Sequence, residues 1–149
     1  MSLRKNRLVR RIAQVSAAIL LASGLMATAS AQDIVVGQSG ALTGPLDEIA
    51  KEMKAGAEAY FNLVNQAGGV NGRKIKFVSL DDAGEPAKAT ANTQKLIGDE
   101  NALALLGFSG ENTIKAILPL VDKAKIPFIA AASGDQNLRE PFNRYYFNV

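Results

Sequence analysis

Three groups of residues are of types that could do chemistry: the adjacent carboxylates Asp81 and Asp82, the segment 109–113 from Ser109 to Thr113, and the segment formed by Ala132, Ser133 and Gly134. Adjacent carboxylates could perform acid–base work or hold a cation. Neighbours at a strand end point to opposite sides, however, and rarely share a site, so a structural role is favoured. Gly107, Ser109 and Glu111 fall into the spacing of a nucleophile elbow, but Glu111 replaces the second glycine of G-x-S-x-G and the chain has no histidine to activate Ser109. What this segment offers instead is a helix start with free backbone N–H groups, a natural place for a carboxylate or another hydrogen-bond acceptor. Asn112 either caps that helix or reaches a ligand. Ser133 and Gly134 either present a hydroxyl and bare backbone to the same crevice or form a plain polar turn.

Composition removes other chemistries. The 149 residues are 48% hydrophobic and 21% charged, enough for one globular domain. Without cysteine or histidine, structural zinc, iron–sulfur, thiol and histidine-triad chemistry are excluded, and no metal or cofactor is expected. Gly37, Gly40 and Gly44 are spaced G-x-x-G-x-x-x-G, which is neither a dinucleotide fingerprint nor a phosphate-binding loop, so they read as turn glycines.

The formal charge of +3 is misleading until it is located. Residues 1–31 hold five of the 17 basic residues and no acid, so the remaining 12 basic and 14 acidic residues give positions 32–149 a net charge of −2. A nucleic-acid partner loses its only support. The basic start Arg4, Lys5, Arg7, Arg10 and Arg11, an apolar run over 15–26 and Ala29-Ser30-Ala31 form the n-region, h-region and cleavage site of a signal peptide. Cleavage is expected after Ala31, giving a periplasmic product with Gln32 at its start. The apolar run falls short of the roughly 20 residues that span a membrane.

Beyond residue 31, short apolar runs alternate with helical periodicity. Strands are expected at 34–38, 74–80, 102–107, 127–131 and 145–149, with helices at 46–67, 87–99 and 113–124. In the first helix Ile49, Met53, Ala57, Tyr60, Phe61 and Val64 recur every three or four residues, as a face lying on a sheet requires. Gly68-Gly69 stops that helix and Asn71-Gly72 turns the chain into the next strand. This rhythm predicts the α/β class: a doubly wound parallel sheet with helices on both faces, reached by right-handed crossovers. Ligands of such sheets bind beyond the carboxyl ends of the strands, where strand order reverses.

Several segments together resemble a known family: the exported start, the run IVVGQSGALTGP at 34–45, NQAGGVNGR at 65–73, the Asp81-Asp82 strand end, PLVDKAKIP at 119–127 and FNRYYFNV at 142–149. The chain resembles the substrate-binding proteins of branched-chain amino acid type ABC transporters, which have the type I periplasmic binding protein fold. The GGVNGR portion is the most specific piece. The resemblance implies a two-lobed protein that traps a small solute, an amino acid or a similar polar compound, at a hinge and delivers it to an ABC permease in the inner membrane, without catalysis. It places ligand contacts on Ser109, Asn112 and Thr113 and on Ala132, Ser133 and Gly134.

Two departures qualify that expectation. Relatives tend to have small hydroxyl residues where this chain has Glu111, whose carboxylate would repel a ligand carboxylate unless it turns to solvent. Relatives also run to more than twice this length, so the resemblance implies the first lobe only, incomplete, binding solute weakly or not at all by itself. The alternative reading is a ligand-sensing domain of a receptor or regulator, since the same fold serves signalling. An exported enzyme working through Asp81, Asp82 and Glu111 is the third.

Overall fold

A computed structural model describes residues 32–45, 47–140 and 142–148. The expected signal peptide and its cleavage site lie outside the described residues. Elements alternate as β1 (Ile34–Gly40), α1 (Asp47–Gln66), β2 (Ile75–Asp81), α2 (Pro86–Gly98), β3 (Ala104–Leu106), α3 (Glu111–Ala124), β4 (Phe128–Ile129) and β5 (Tyr146–Phe147), with a 3-10 turn at Gln136–Leu138 before the last strand. The five strands form one sheet in the order β2-β1-β3-β4-β5, and every pairing is parallel. No helix among the described residues is long and apolar enough to cross a membrane.

Local chemistry explains the connection from α1 to β2. Gly68 and Gly69 adopt φ of +106° and +79°, and a Cβ on Gly69 would fall 2.1 Å from the Arg73 carbonyl oxygen, so only glycine fits there. Asn71 and Gly72, also at positive φ, make the tight turn that lets Val70 bridge to Arg73. The Asn65 side chain then accepts from Ile75 N–H at 2.7 Å and donates to its carbonyl at 2.8 Å, fixing the start of β2 to the end of α1. Arg73 reaches back to the Gln32 carbonyl at 2.6 Å and ties in the entry to β1. The GGVNGR segment is therefore structural.

The core lies on one face of the sheet. Register puts Leu105, Phe128 and Tyr146 side by side across β3 to β5. All three are buried with Leu96 of α2 and Ile114, Ile117 and Val121 of α3. Each such side chain contributes about 1.5–3 kcal/mol by leaving water. Phe128 sits at the centre, edge-on to Phe108 at 5.1 Å and stacked on Tyr146 at 5.3 Å. Gly37 allows this packing, because a Cβ there would lie 2.9 Å from Leu96.

Helix α1 covers the opposite face, giving the expected helices on both sides of the sheet, although its cover is uneven. Helix α1 packs on β1 and β2, where Phe61 meets Phe77 edge-on at 5.5 Å. Of the face read from its periodicity, Ile49 and Tyr60 remain exposed, and the buried residue of α1 is Ala50. Toward the β4–β5 edge, Ile129 and Phe147 remain 37% and 53% exposed.

Tyr146 carries a buried hydroxyl with no hydrogen-bond partner among the described residues, and burial raises its pKa. Phenylalanine keeps the stack and removes the unsatisfied group. Tyr146→Phe is expected to leave stability unchanged or to raise it by about 1 kcal/mol, read by urea unfolding; a loss of that size would show that the hydroxyl has a partner.

Candidate functional site

Strand β1 lies between β2 and β3, so successive crossovers leave it in opposite directions and a crevice opens at the carboxyl ends of β1 and β3. A cleft of about 260 Å³ occupies that place. Its walls are Ala41 after β1, Ile49 in the first turn of α1, Gly84 after β2, and residues 109–113.

The loop of β1 is held open by the paired carboxylates. Asp81 accepts from the Thr43 hydroxyl at 2.6 Å, from Leu42 N–H at 2.8 Å and from Ala83 N–H at 2.9 Å. Asp82 points the other way into the interior, accepting from the Ser39 hydroxyl at 2.7 Å and from Gly84 N–H at 2.8 Å. Asn92 of α2 completes the brace by donating to Ser39 Oγ. Both aspartates are thus spent on the scaffold, and no group of three or more candidate metal ligands occurs among the described residues.

The two carboxyl groups respond oppositely to their surroundings. The Thr43 hydroxyl, foremost, and the Ala83 and Leu42 N–H groups hold Asp81 down to about 2. Burial pushes Asp82 above its ordinary 3.8, against the pull of Ser39 and Gly84. The lowered group stabilises the fold above its unfolded value near 3.8, and that contribution is lost as pH falls toward 2. The raised group stabilises the protonated fold, and its contribution is lost as pH rises above 3.8. In urea unfolding across pH 2.5–7, Asp81→Asn should therefore remove the low-pH loss and cost about 1 kcal/mol at neutral pH. Asp82→Asn should flatten the decline on the neutral side. Identical pH profiles for the wild type and both variants would refute this assignment.

Residues 109–113 form the floor of the cleft. Phe108, wholly buried, anchors the segment, and Ser109 is 9% exposed with its backbone paired to Ala132 by a parallel bridge. Gly110 has φ of +93°, and a Cβ on it would lie 2.9 Å from Thr113 Oγ1, so glycine is required. Helix α3 begins at the next residue, two earlier than its periodicity indicates, and no side chain caps it. Asn112 is therefore inside the first turn and exposed, and the capping alternative falls. Ile114 N–H bonds to the Gly110 carbonyl at 3.0 Å, while the N–H groups before it have no intrahelical partner and face the cleft end of the helix dipole. The Thr113 hydroxyl is spent inside the loop, donating to the carbonyls of Ser109 and Gly110 at 2.6 and 2.7 Å. Its N–H is what it can offer a ligand.

The Ser109–Ala132 bridge brings the second candidate segment alongside the first. Ser133 Oγ accepts from Asp135 N–H at 3.1 Å, so its hydroxyl serves its own turn while keeping a proton to donate. Gly134 stands in open space without a positive φ, and nothing in the local packing demands glycine. The six expected residues thus lie on two adjacent segments, the start of α3 with Ser109 before it and the loop after β4; Ser109, Asn112 and Thr113 line the cleft while Ala132, Ser133 and Gly134 flank it. Ala41 and Gly84 complete the wall, unsignalled by any reactive side chain.

Gly40, beside this cleft, lets the first turn of α1 pack close to the end of β1. A Cβ there would meet Ala50 at 2.9 Å and stand 3.7 Å from Ser109 Oγ. A larger hollow of about 490 Å³ lies at the other end of the sheet, around Leu103, Ile126 and Pro127, lined by apolar side chains apart from Lys125. It lacks the convergent polar groups that orient a small solute.

The family model for the periplasmic binding protein matches residues 33–149. The chain belongs to the periplasmic binding protein family. An amino acid binding protein of Pseudomonas aeruginosa is 34% identical over 116 residues, covering 77% of this chain and 31% of the relative. A Leu/Ile/Val-binding protein of Escherichia coli is 37% identical over 71 residues, 48% of this chain and 19% of the relative. Among solved structures, an extracellular ligand-binding receptor from Verminephrobacter eiseniae superposes with a TM-score of 0.74 at 32% identity, covering 78% of this chain and 33% of that one. The chain spans about a third or less of the length of these three proteins.

Proposed function

We propose that this chain supplies one side of the solute site of an ABC importer's binding protein. It would capture an amino acid or a similar small polar solute in the periplasm and hand it to a permease in the inner membrane. The observation that carries the reading is the uncapped start of α3 beside the buried Ser109 at the strand-order switch point. Free N–H groups at 111–113 suit a carboxylate, and Ser109 and Ser133 supply hydroxyls beside it. The named binding activities of the amino acid and Leu/Ile/Val relatives favour the same solute class. The basic, apolar and Ala-x-Ala pattern of residues 1–31 favours export with cleavage after Ala31.

The role is capture rather than turnover, because the carboxylates nearest the cleft are engaged in scaffold contacts or ion pairs. The cleft is walled from one side only, so residues 32–149 alone should hold solute weakly. The Verminephrobacter eiseniae neighbour is an extracellular ligand-binding receptor, which favours a second reading, ligand sensing. Uptake of labelled leucine, isoleucine and valine by a strain lacking the gene separates the two. Slower uptake supports import. Unchanged uptake of all three, with altered solute-dependent gene expression, would favour sensing.

A further inference from the structure

Glu111 is the residue at odds with an anion-accepting site, since it sits in the first turn of α3 and lines the cleft. Its carboxylate does not stand alone. Lys115, one turn along the helix, places its ammonium 2.5 Å from Glu111 Oε1 and 2.7 Å from Asp135 Oδ2. Asp135 belongs to the loop after β4, and its side chain is only 9% exposed. Its other oxygen accepts from the backbone and side-chain N–H groups of Asn137 and starts the 3-10 turn. One cation therefore joins the first turn of α3 to the loop after β4, the two segments that carry the candidate ligand residues.

We propose that Lys115 is a positioning and specificity-determining residue that offsets half of the negative charge of Glu111 and Asp135 beside the cleft, favouring acceptance of a solute carboxylate, and clamps the loop after β4 to α3. This rests on the solute-binding reading above. The charge sum at the rim supports it: with Lys115 the three side chains total −1, and without it they total −2 beside a helix end suited to an anion. The ion pairing is mutual, for Asp135 and Glu111 raise the Lys115 pKa, and Lys115 foremost lowers that of Asp135. Glu111 thereby serves as the second anchor of Lys115 while its own charge is masked.

The test is an NMR titration of the intact chain with L-leucine, L-isoleucine and L-valine, read on the amides of Asn112, Thr113 and Ser133. The wild type is compared with K115M, K115R, E111Q and the K115M/E111Q double variant, and amide exchange at Asn137 and Leu138 is followed on the same samples. K115M should weaken binding about fivefold, K115R should retain it, and E111Q added to K115M should recover at least half of the loss. Exchange at Asn137 and Leu138 should quicken several-fold in K115M. Wild-type affinity in K115M, or a double variant no tighter than K115M, overturns the inference. If none of the three solutes shifts the wild-type amides even at millimolar concentration, the expected weak solute binding fails instead, and exchange decides the clamp: unchanged protection in K115M overturns it.

Discussion

Replacing Phe128 by alanine should cost about 3–5 kcal/mol, the range for emptying an aromatic site in a packed core. Phe128 is fully buried and bridges Phe108 to Tyr146, and β4 contributes only two residues to the sheet. Little else can fill the space. The core is also one-sided, with α2 and α3 covering their face while Ile129 and Phe147 stay in contact with water on the other. Against a domain stability of about 5–15 kcal/mol, this loss should leave much of the variant unfolded at 37 °C. Circular dichroism melting checks it, with Phe147→Ala as the comparison. Phe147 is half exposed, so its removal should cost under about 1 kcal/mol. Equal losses at the two positions would mean that the bare face is buried in solution.

Gly110→Val should damage the site directly. A valine would have to adopt φ of +93°, where a β-branched side chain is strained by about 1–3 kcal/mol, and its Cβ would press on Thr113 Oγ1 at 2.9 Å. That hydroxyl holds the carbonyls of Ser109 and Gly110. Relief of the strain would therefore move both the buried serine and the start of α3, and solute binding should fall at least tenfold by NMR titration. Gly134→Ala is the control. Nothing lies near its Cβ, so stability should stay within about 0.5 kcal/mol of wild type. A valine at 110 that binds as well as wild type would remove the α3 start from the site.

The elements were legible because most of their signals are local. Asn71-Gly72 turns the chain as read, and α1 and α2 fall within a residue of their periodicities. Boundaries failed where backbone geometry acts without a side-chain signature. Strand β1 continues through Ser39 and Gly40, paired to Leu80 and Asp81, where the Ser39 hydroxyl meets the buried Asp82 and the half-buried Asn92, 43 and 53 positions away. Strand β4 shrinks to Phe128–Ile129 because Pro127 has no N–H to donate and Ala130 turns to φ of +54°. Helix α3 starts early because a positive-φ glycine serves where a side-chain cap was sought.

The neighbourhood of the candidate residues was legible, but their wiring was not. Ser109, Asn112 and Thr113 could be set beside Ala132, Ser133 and Gly134 because parallel strands align their exits at one end of the sheet. The i,i+4 spacing of Glu111 and Lys115 was visible in the sequence, and it answers the objection that Glu111 raises. The contact from Lys115 to Asp135 crosses 20 positions and two loops, so no periodicity could announce it. Ala41 and Gly84 line the cleft through backbone and small size alone.

The most direct measurement is chemical-shift mapping on isotope-labelled residues 32–149, titrated with L-leucine, L-isoleucine and L-valine to millimolar concentration. Shifts centred on the amides of 109–113 and 132–134, saturating only at high concentration, are the expected result. Shifts centred instead on the apolar hollow around Leu103 and Ile126, or micromolar binding that leaves 109–113 unmoved, would contradict a solute site at the start of α3.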